Sequence, residues 1–312
     1  MTLTIGIAGI TGKFGRTLAT HLLSLPSTTI RGLSRSPSTL PPSLATSPRI
    51  TLLQGAASDP AAARALAKGC DVVVCCYLGP NALMTNAQKL LVDACAAERV
   101  PRYIPSDYCL DFTRLAYGQL PAKDPMKDVM AYVEATPNVA GVHVLIGVLM
   151  ETWWSRVFGV WDPEAPALRF WGDGDDEWEC TTYGDAAAFV AQVAVDEGAV
   201  GVMKFVGDRK STREIAQIFE SVYHVKPALE SRGSLEDLYK RMHEVRDEDP
   251  AAAINYMPMF YNYYCSNGQT HLGADLDNEK YPDVKAVTFE GFLKANRMED
   301  LWGAKEKVGS SV

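Results

Sequence analysis

The sequence predicts an α/β protein: a doubly wound parallel sheet followed by a smaller α+β region. Three observations carry this. A short apolar segment, Thr4-Ile5-Gly6-Ile7-Ala8, runs into the glycine-rich turn Gly9-Ile10-Thr11-Gly12-Lys13-Phe14-Gly15. An amphipathic stretch leaves that turn, with Phe14, Leu18, Leu22 and Leu23 at helical spacing. Segments of strand and helix character then alternate to about residue 150, the rhythm of parallel strands joined by crossover helices.

In chain order, the first helix ends near Leu25-Pro26 and a second strand covers 28–34. Residues 37–48, rich in Pro and Ser, are expected to be a surface loop. Strand 50–53 and an Ala-rich helix over 60–68 follow. The continuous apolar run 70–78 is the mark of a strand covered on both faces, and Gly79-Pro80 breaks it. A helix over 82–98, a short strand over 102–105, a helix over 125–135 and a strand over 141–148 complete the pattern. The expected division is a dinucleotide-binding domain over 1–152, completed by 185–208, and a mainly substrate-binding region over 153–312.

The glycine turn states what binds. Strand, turn and helix form the context in which glycines let the backbone approach a pyrophosphate, whose charge the helix N-terminus holds. Gly9, Thr11, Gly12, Lys13, Phe14 and Gly15 are therefore candidate cofactor contacts in a Rossmann-type domain. Residues 1–58 contain no Asp or Glu but hold Lys13, Arg16, Arg31, Arg35 and Arg49. That segment is +5 in a chain of net charge −8, so the remainder is −13 (−8 minus +5). A local positive field belongs beside a polyanion. About 20 residues past the last glycine, NAD-binding folds place an acid on the ribose 2′-hydroxyl. This chain has Ser34-Arg35-Ser36 instead. A guanidinium suits a 2′-phosphate, so NADP(H) is expected over NAD(H). Ligands of such sheets lie at the carboxyl ends of the strands, which adds Leu78, Gly79 and Ser106 as neighbours of the cofactor.

The proton donor is less plain. Of all the lysines, only Lys285 has a tyrosine four residues earlier, and Tyr281-Pro282 lies far past the sheet. The Tyr-x-x-x-Lys pair of ordinary short-chain reductases is therefore missing. Asp124-Pro125-Met126-Lys127 reads as an N-cap, a proline at the first helical position and a first turn. Lys127 then sits at the positive end of a helix, where its pKa is lowered and it suits acid/base work beside the cofactor. An ordinary lysine held by Asp124 or Asp128 is the plain alternative, and Lys123 is a weaker competitor. Ser106 and Tyr108, just past a strand end, are expected to orient the substrate oxygen.

These motifs have a resemblance. Gly9-x-x-Gly12-x-x-Gly15, Tyr103-Ile104-Pro105-Ser106-Asp107-Tyr108, Asp124-Pro125-Met126-Lys127 before a helix, Leu149-Met150-Glu151, Trp171-Gly172-Asp173-Gly174 and Thr181-Thr182-Tyr183-Gly184-Asp185 resemble the NmrA-like, isoflavone-reductase-like branch of the short-chain dehydrogenase/reductase superfamily. The resemblance covers nearly the whole chain. It implies NADP binding, and a lysine near the start of that helix as general acid/base, a place Lys127 fills. It also implies a rival, because the family includes members that bind NADP and regulate protein partners without catalysis.

The second half is read more loosely. Segments 167–171 and 178–182 suggest a hairpin around the acidic turn 172–176, which lacks calcium-loop spacing. Ser211 and Glu214 form a capping box for a helix over 211–223, and 202–206 is a strand returning to the main sheet. Most of the tryptophans are expected in the core, with Trp153 and Trp154 as candidate substrate contacts because they follow a strand end. Tyr261 is a third, in the aromatic and methionine-rich stretch 251–265.

Net charge −8 argues against nucleic acid, and no apolar run reaches membrane-span length. The seven cysteines show no C-x-x-C pair and read as reduced thiols in a cytoplasmic protein. No secretory or transit leader is expected, the histidines have no metal-ligand spacing, and the chain is expected to be a monomer or homodimer. The expected function is an NADPH-dependent reductase of a small, largely apolar or aromatic conjugated carbonyl compound. The alternatives are the non-catalytic sensor and a non-redox isomerase or dehydratase on the same fold.

Overall fold

The computed structural model describes residues 2–302. The last ten residues of the expected substrate-binding region, 303–312, lie outside the described part. Strands β1 (Leu3–Ala8), β2 (Thr28–Ser34), β3 (Ile50–Gln54), β4 (Val72–Cys75), β5 (Arg102–Ile104) and β6 (Ala140–Leu145) belong to a seven-stranded sheet. Short strands β7 (Val148–Leu149), β8 (Trp161–Asp162), β9 (Ala167–Phe170) and β10 (Glu177–Thr181) leave it. Then β11 (Gly201–Lys204) returns as its edge, and β12 (Asp208–Ser211) and β13 (Ala228–Ser231) join the smaller sheets. The order β11-β6-β5-β4-β1-β2-β3 is parallel throughout, as expected for a doubly wound sheet.

The helices are α1 (Lys13–Ser24), α2 (Pro42–Ala45), α3 (Pro60–Ala67), α4 (Gln88–Glu98), α5 (Asp124–Glu134), α6 (Met150–Trp153), α7 (Tyr183–Val195), α8 (Thr212–Tyr223), α9 (Leu235–Glu248), α10 (Ala253–Ser266) and α11 (Phe289–Ala295). Side-chain alternation decides which helices cover which face. Ile5, Ile7, Val72 and Val74 pack with Leu18 and Leu22 of α1 and Phe189 and Val190 of α7. Their neighbours Ala8, Val73 and Cys75 pack with Leu66, Leu91, Val129 and Val133 of α3, α4 and α5. A third cluster lies in the second half, around Trp153, Trp154, Trp161, Phe219, Phe260 and Phe289.

Four local expectations are corrected. Segments 167–171 and 178–182 are not a hairpin. β9 pairs with β8 and β13, whereas β10 pairs with β7 and β12, so the acidic turn joins two sheets. Only Val72–Cys75 of the apolar run 70–78 is strand. The Pro/Ser-rich stretch 37–48 carries the short helix α2 and buries Leu40 and Leu44 against the α1 side of the sheet. Finally, α5 begins at Asp124 instead of being capped by it, preceded by a 3₁₀ turn over Pro121–Lys123. The capping box at Ser211 and Glu214 is present as expected.

Candidate cofactor and active site

The glycine turn sits where β1 ends. Gly9 has φ +84°, and a Cβ there would lie 3.1 Å from the Cys76 carbonyl oxygen of the neighbouring strand end. A Cβ on Gly15 would lie 2.9 Å from the Ile10 Cα and closer still to the Gly9 carbonyl. These glycines let α1 start directly against the turn. The Gly12 N–H donates to the Gly9 carbonyl at 3.0 Å, and no side chain caps α1. The helix N-terminus is thus left for an outside anion, which fits a dinucleotide pyrophosphate. The Thr11 hydroxyl lies 2.7 Å from that of Ser34. The Ser34 oxygen also accepts the Ser36 N–H at 3.1 Å, which shapes the end of β2.

The five cations of the acid-free segment have separate fates. Arg31 donates to the carbonyls of Ala65 and Leu66 at the end of α3. Arg49 donates to those of Leu23 and Leu25 at the end of α1. Both guanidinia serve as helix C-terminal caps. The Lys13 ammonium lies 4.3 Å from the Tyr183 ring centroid. Arg35 is exposed at the end of β2, and neither it nor Arg16 makes an ion pair among the described residues. Beyond β4, Leu78 is 87% exposed, and Gly79 packs against Leu83.

The expected oxygen-orienting pair is otherwise engaged. The Ser106 hydroxyl donates to the Tyr77 carbonyl at 2.7 Å, and its N–H donates to Gln88 Oε1 at 2.9 Å. The Tyr108 hydroxyl donates to the Cys75 carbonyl at 2.9 Å, and burial pushes its pKa well above the usual phenol range. Its ring stacks on Phe14 with centroids 4.2 Å apart, and its φ of +23° is strained for a non-glycine residue. The hydroxyl protons of Ser106 and Tyr108 are thus both given to main-chain carbonyls.

The two lysines have different surroundings. Lys127 pairs with Asp124 at 2.8 Å, donates to the Ala116 carbonyl at 2.8 Å and lies over the Tyr117 ring. It holds the loop before α5, the plain alternative weighed for it. Lys123 is the buried one, 6% exposed. The reason is the helix start: the 3₁₀ turn over Pro121–Lys123 carries Lys123 inward. Its ammonium lies 5.3 Å from the Tyr261 ring centroid, and the Cys109 thiol also faces it. Burial penalises its charge, but these two partners more than offset that and hold its pKa above the usual lysine value. Burial in turn pushes the Cys109 thiol up to about 11, with Lys123 opposing.

Trp153 and Trp154 are fully buried and pack edge to face, 4.7 Å apart, so they are core residues with no open face. Their indole N–H groups have no hydrogen-bond partner among the described residues. Tyr261 is half-buried beside Lys123. Two groupings went unnoticed in the sequence. Asp107 Oδ2 lies 2.7 Å from Nδ1 of His143 on β6, both side chains buried. Glu151 accepts the Tyr183 N–H at 3.0 and 3.1 Å. Both join residues far apart in the chain, and no spacing announces them.

Residues 9–132 match the model of the NAD(P)H-binding family, the stretch that holds the glycine turn. More narrowly, the chain has the fold of the isoflavone-reductase-like reductases, in line with the resemblance of its motifs. An isoflavone reductase is 20% identical over 95% of this chain and 99% of its own, with a TM-score of 0.78. A protein designated AtPrR2, solved with NADP+ and (+)pinoresinol, is 18% identical over 94% and 98%, with a TM-score of 0.77. Leucoanthocyanidin reductase from Vitis vinifera, solved with NADPH, is 16% identical over 94% and 98%, with a TM-score of 0.72. No protein of curated function matches the sequence. No helix among the described residues is long and apolar enough to cross a membrane, and no cluster there has the makings of a metal site.

Proposed function

We propose that this protein is an NADPH-dependent reductase of a small, largely apolar or aromatic conjugated carbonyl compound, acting in the cytoplasm. The observation that carries the reading is Lys123, a buried lysine at the carboxyl edge of a sheet whose glycine turn suits a dinucleotide. Gly9, Gly12, Phe14 and Gly15 hold the pyrophosphate through main-chain groups and close approach. Arg35, with Ser34 and Ser36, receives the 2′-phosphate, which selects NADP(H). Leu78 and the stacked Phe14 and Tyr108 exclude water from the crevice.

Bound NADPH supplies a hydride. The chain's own part is the oxygen of the substrate. A charged Lys123 Nζ polarises a carbonyl and stabilises the negative charge that develops on that oxygen. Tyr261 stands beside the ammonium and offers an aromatic face to a planar substrate. Fold likeness to solved reductases supports the reaction class.

The test is NADPH consumption against a panel of enones and aromatic aldehydes. Lys123→Met is expected to abolish turnover while leaving NADPH binding intact. Lys127→Ala is expected to keep turnover and lower stability by about 1 kcal/mol, the scale of a partly buried ion pair. Loss of turnover only in Lys127→Ala would return the acid/base role to Lys127. Tight cofactor binding with no turnover on any carbonyl would favour the non-catalytic sensor, and product without cofactor consumption would favour isomerase or dehydratase chemistry.

A further inference from the structure

Lys13, the first helical residue of the cofactor turn, reaches across to the second half of the chain. Its ammonium lies over the ring of Tyr183, 4.3 Å from the centroid. Tyr183 is the first residue of α7, and its N–H is taken by both carboxylate oxygens of Glu151, at 3.0 and 3.1 Å. Glu151 belongs to α6, directly after the short strand β7. Three elements, α1, α6 and α7, therefore meet at one carboxylate and one ammonium beside the dinucleotide turn. The charges facing Glu151 are Lys13 from α1 and Asp185 from α7, with the Cys180 thiol of β10 also within its field. The Asp185 carboxylate is committed to the Thr182 hydroxyl and the Val287 N–H, each at 2.8 Å.

We propose that Glu151 is a positioning residue of the cofactor turn: it holds the Lys13 ammonium against Tyr183, and yields it when the phosphates of a dinucleotide occupy the turn. The inference rests on the reading of that turn as the NADP site. Its physical basis is competition. A pyrophosphate at the start of α1 attracts the same ammonium and repels the carboxylate. Burial already raises the Glu151 pKa, with the Tyr183 N–H and Lys13 opposing. Losing Lys13 to the phosphates raises it further, so cofactor binding takes up a proton at this site. Affinity then falls as pH rises through the Glu151 pKa of the free protein.

The experiment is calorimetric titration of the full chain with NADP+, in buffers of different ionisation enthalpy, from pH 5 to 8. Wild-type protein is expected to take up more protons than Glu151→Gln. The cofactor's own 2′-phosphate titrates equally in both, so the difference isolates Glu151. Glu151→Gln is expected to bind about threefold more tightly at pH 7.5, the scale of one screened charge–charge repulsion. Lys13→Met is expected to bind more weakly and to lose the same proton uptake, and it decides the matter if Glu151→Gln does not fold. Equal proton uptake in all three proteins, or weaker binding by Glu151→Gln, overturns the role of Glu151. Absence of NADP+ binding by the wild-type protein overturns the reading of the turn itself.

Discussion

At the scale of single residues, position along a helix start decides role. Lys123 and Lys127 are four apart and chemically identical. One faces Tyr261 and Cys109 from a buried 3₁₀ turn, and the other is tied to Asp124 and the Ala116 carbonyl. The same holds for the five early cations, of which two are spent on helix ends. Arg35 is the one proposed to receive the 2′-phosphate. Replacing it with Ala is expected to weaken NADPH binding by about tenfold or more, the worth of a charge-assisted hydrogen bond, and to leave NADH binding nearly unchanged. Parallel fluorescence titrations with the two cofactors check this. An equal loss for both would remove Arg35 from 2′-phosphate recognition.

At the scale of elements, helix ends carry much of the local information. Helices α3, α7, α8, α9 and α11 each begin under a side-chain cap, from Asp59, Thr182, Ser211, Ser234 and Thr288. Helix α1 begins under none, beside the turn that suits an anion. Ser211→Ala removes the hydroxyl that accepts the Glu214 N–H, leaves the Ser211 N–H bonded to the Glu214 carboxylate, and is expected to destabilise the fold by about 1 kcal/mol, measured by urea unfolding, with cofactor affinity unchanged. The capping box, the strand at 28–34 and the first helix were legible because their signals are local. The supposed hairpin at 167–182 was not, because pairing partners in the smaller sheets come from 161–162, 208–211 and 228–231. A turn between two strands does not say whether they pair with each other.

At the scale of the whole molecule, pH acts through half-buried histidines. His21 and His243 are held below the usual imidazole pKa, in each case first by burial. The unfolded chain protonates them near pH 6.5, before the folded protein does. Stability is therefore complete above that pH and declines as pH falls towards the folded values. Melting temperatures at pH 7.5 and 5.5 are expected to show the loss, and His21→Asn is expected to reduce it. An unchanged difference in that variant would assign the decline to other groups.

The sequence by itself determined the doubly wound sheet, its glycine turn and the cofactor class, because apolar periodicity and close backbone approach are written in consecutive residues. The tertiary structure decided which lysine is buried beside Tyr261, that Trp153 and Trp154 fill the core, and that Lys13, Glu151 and Tyr183 meet. Those outcomes depend on where a helix begins and which distant surfaces close on each other. They arise from packing between residues tens to more than a hundred positions apart, and local patterns do not encode it.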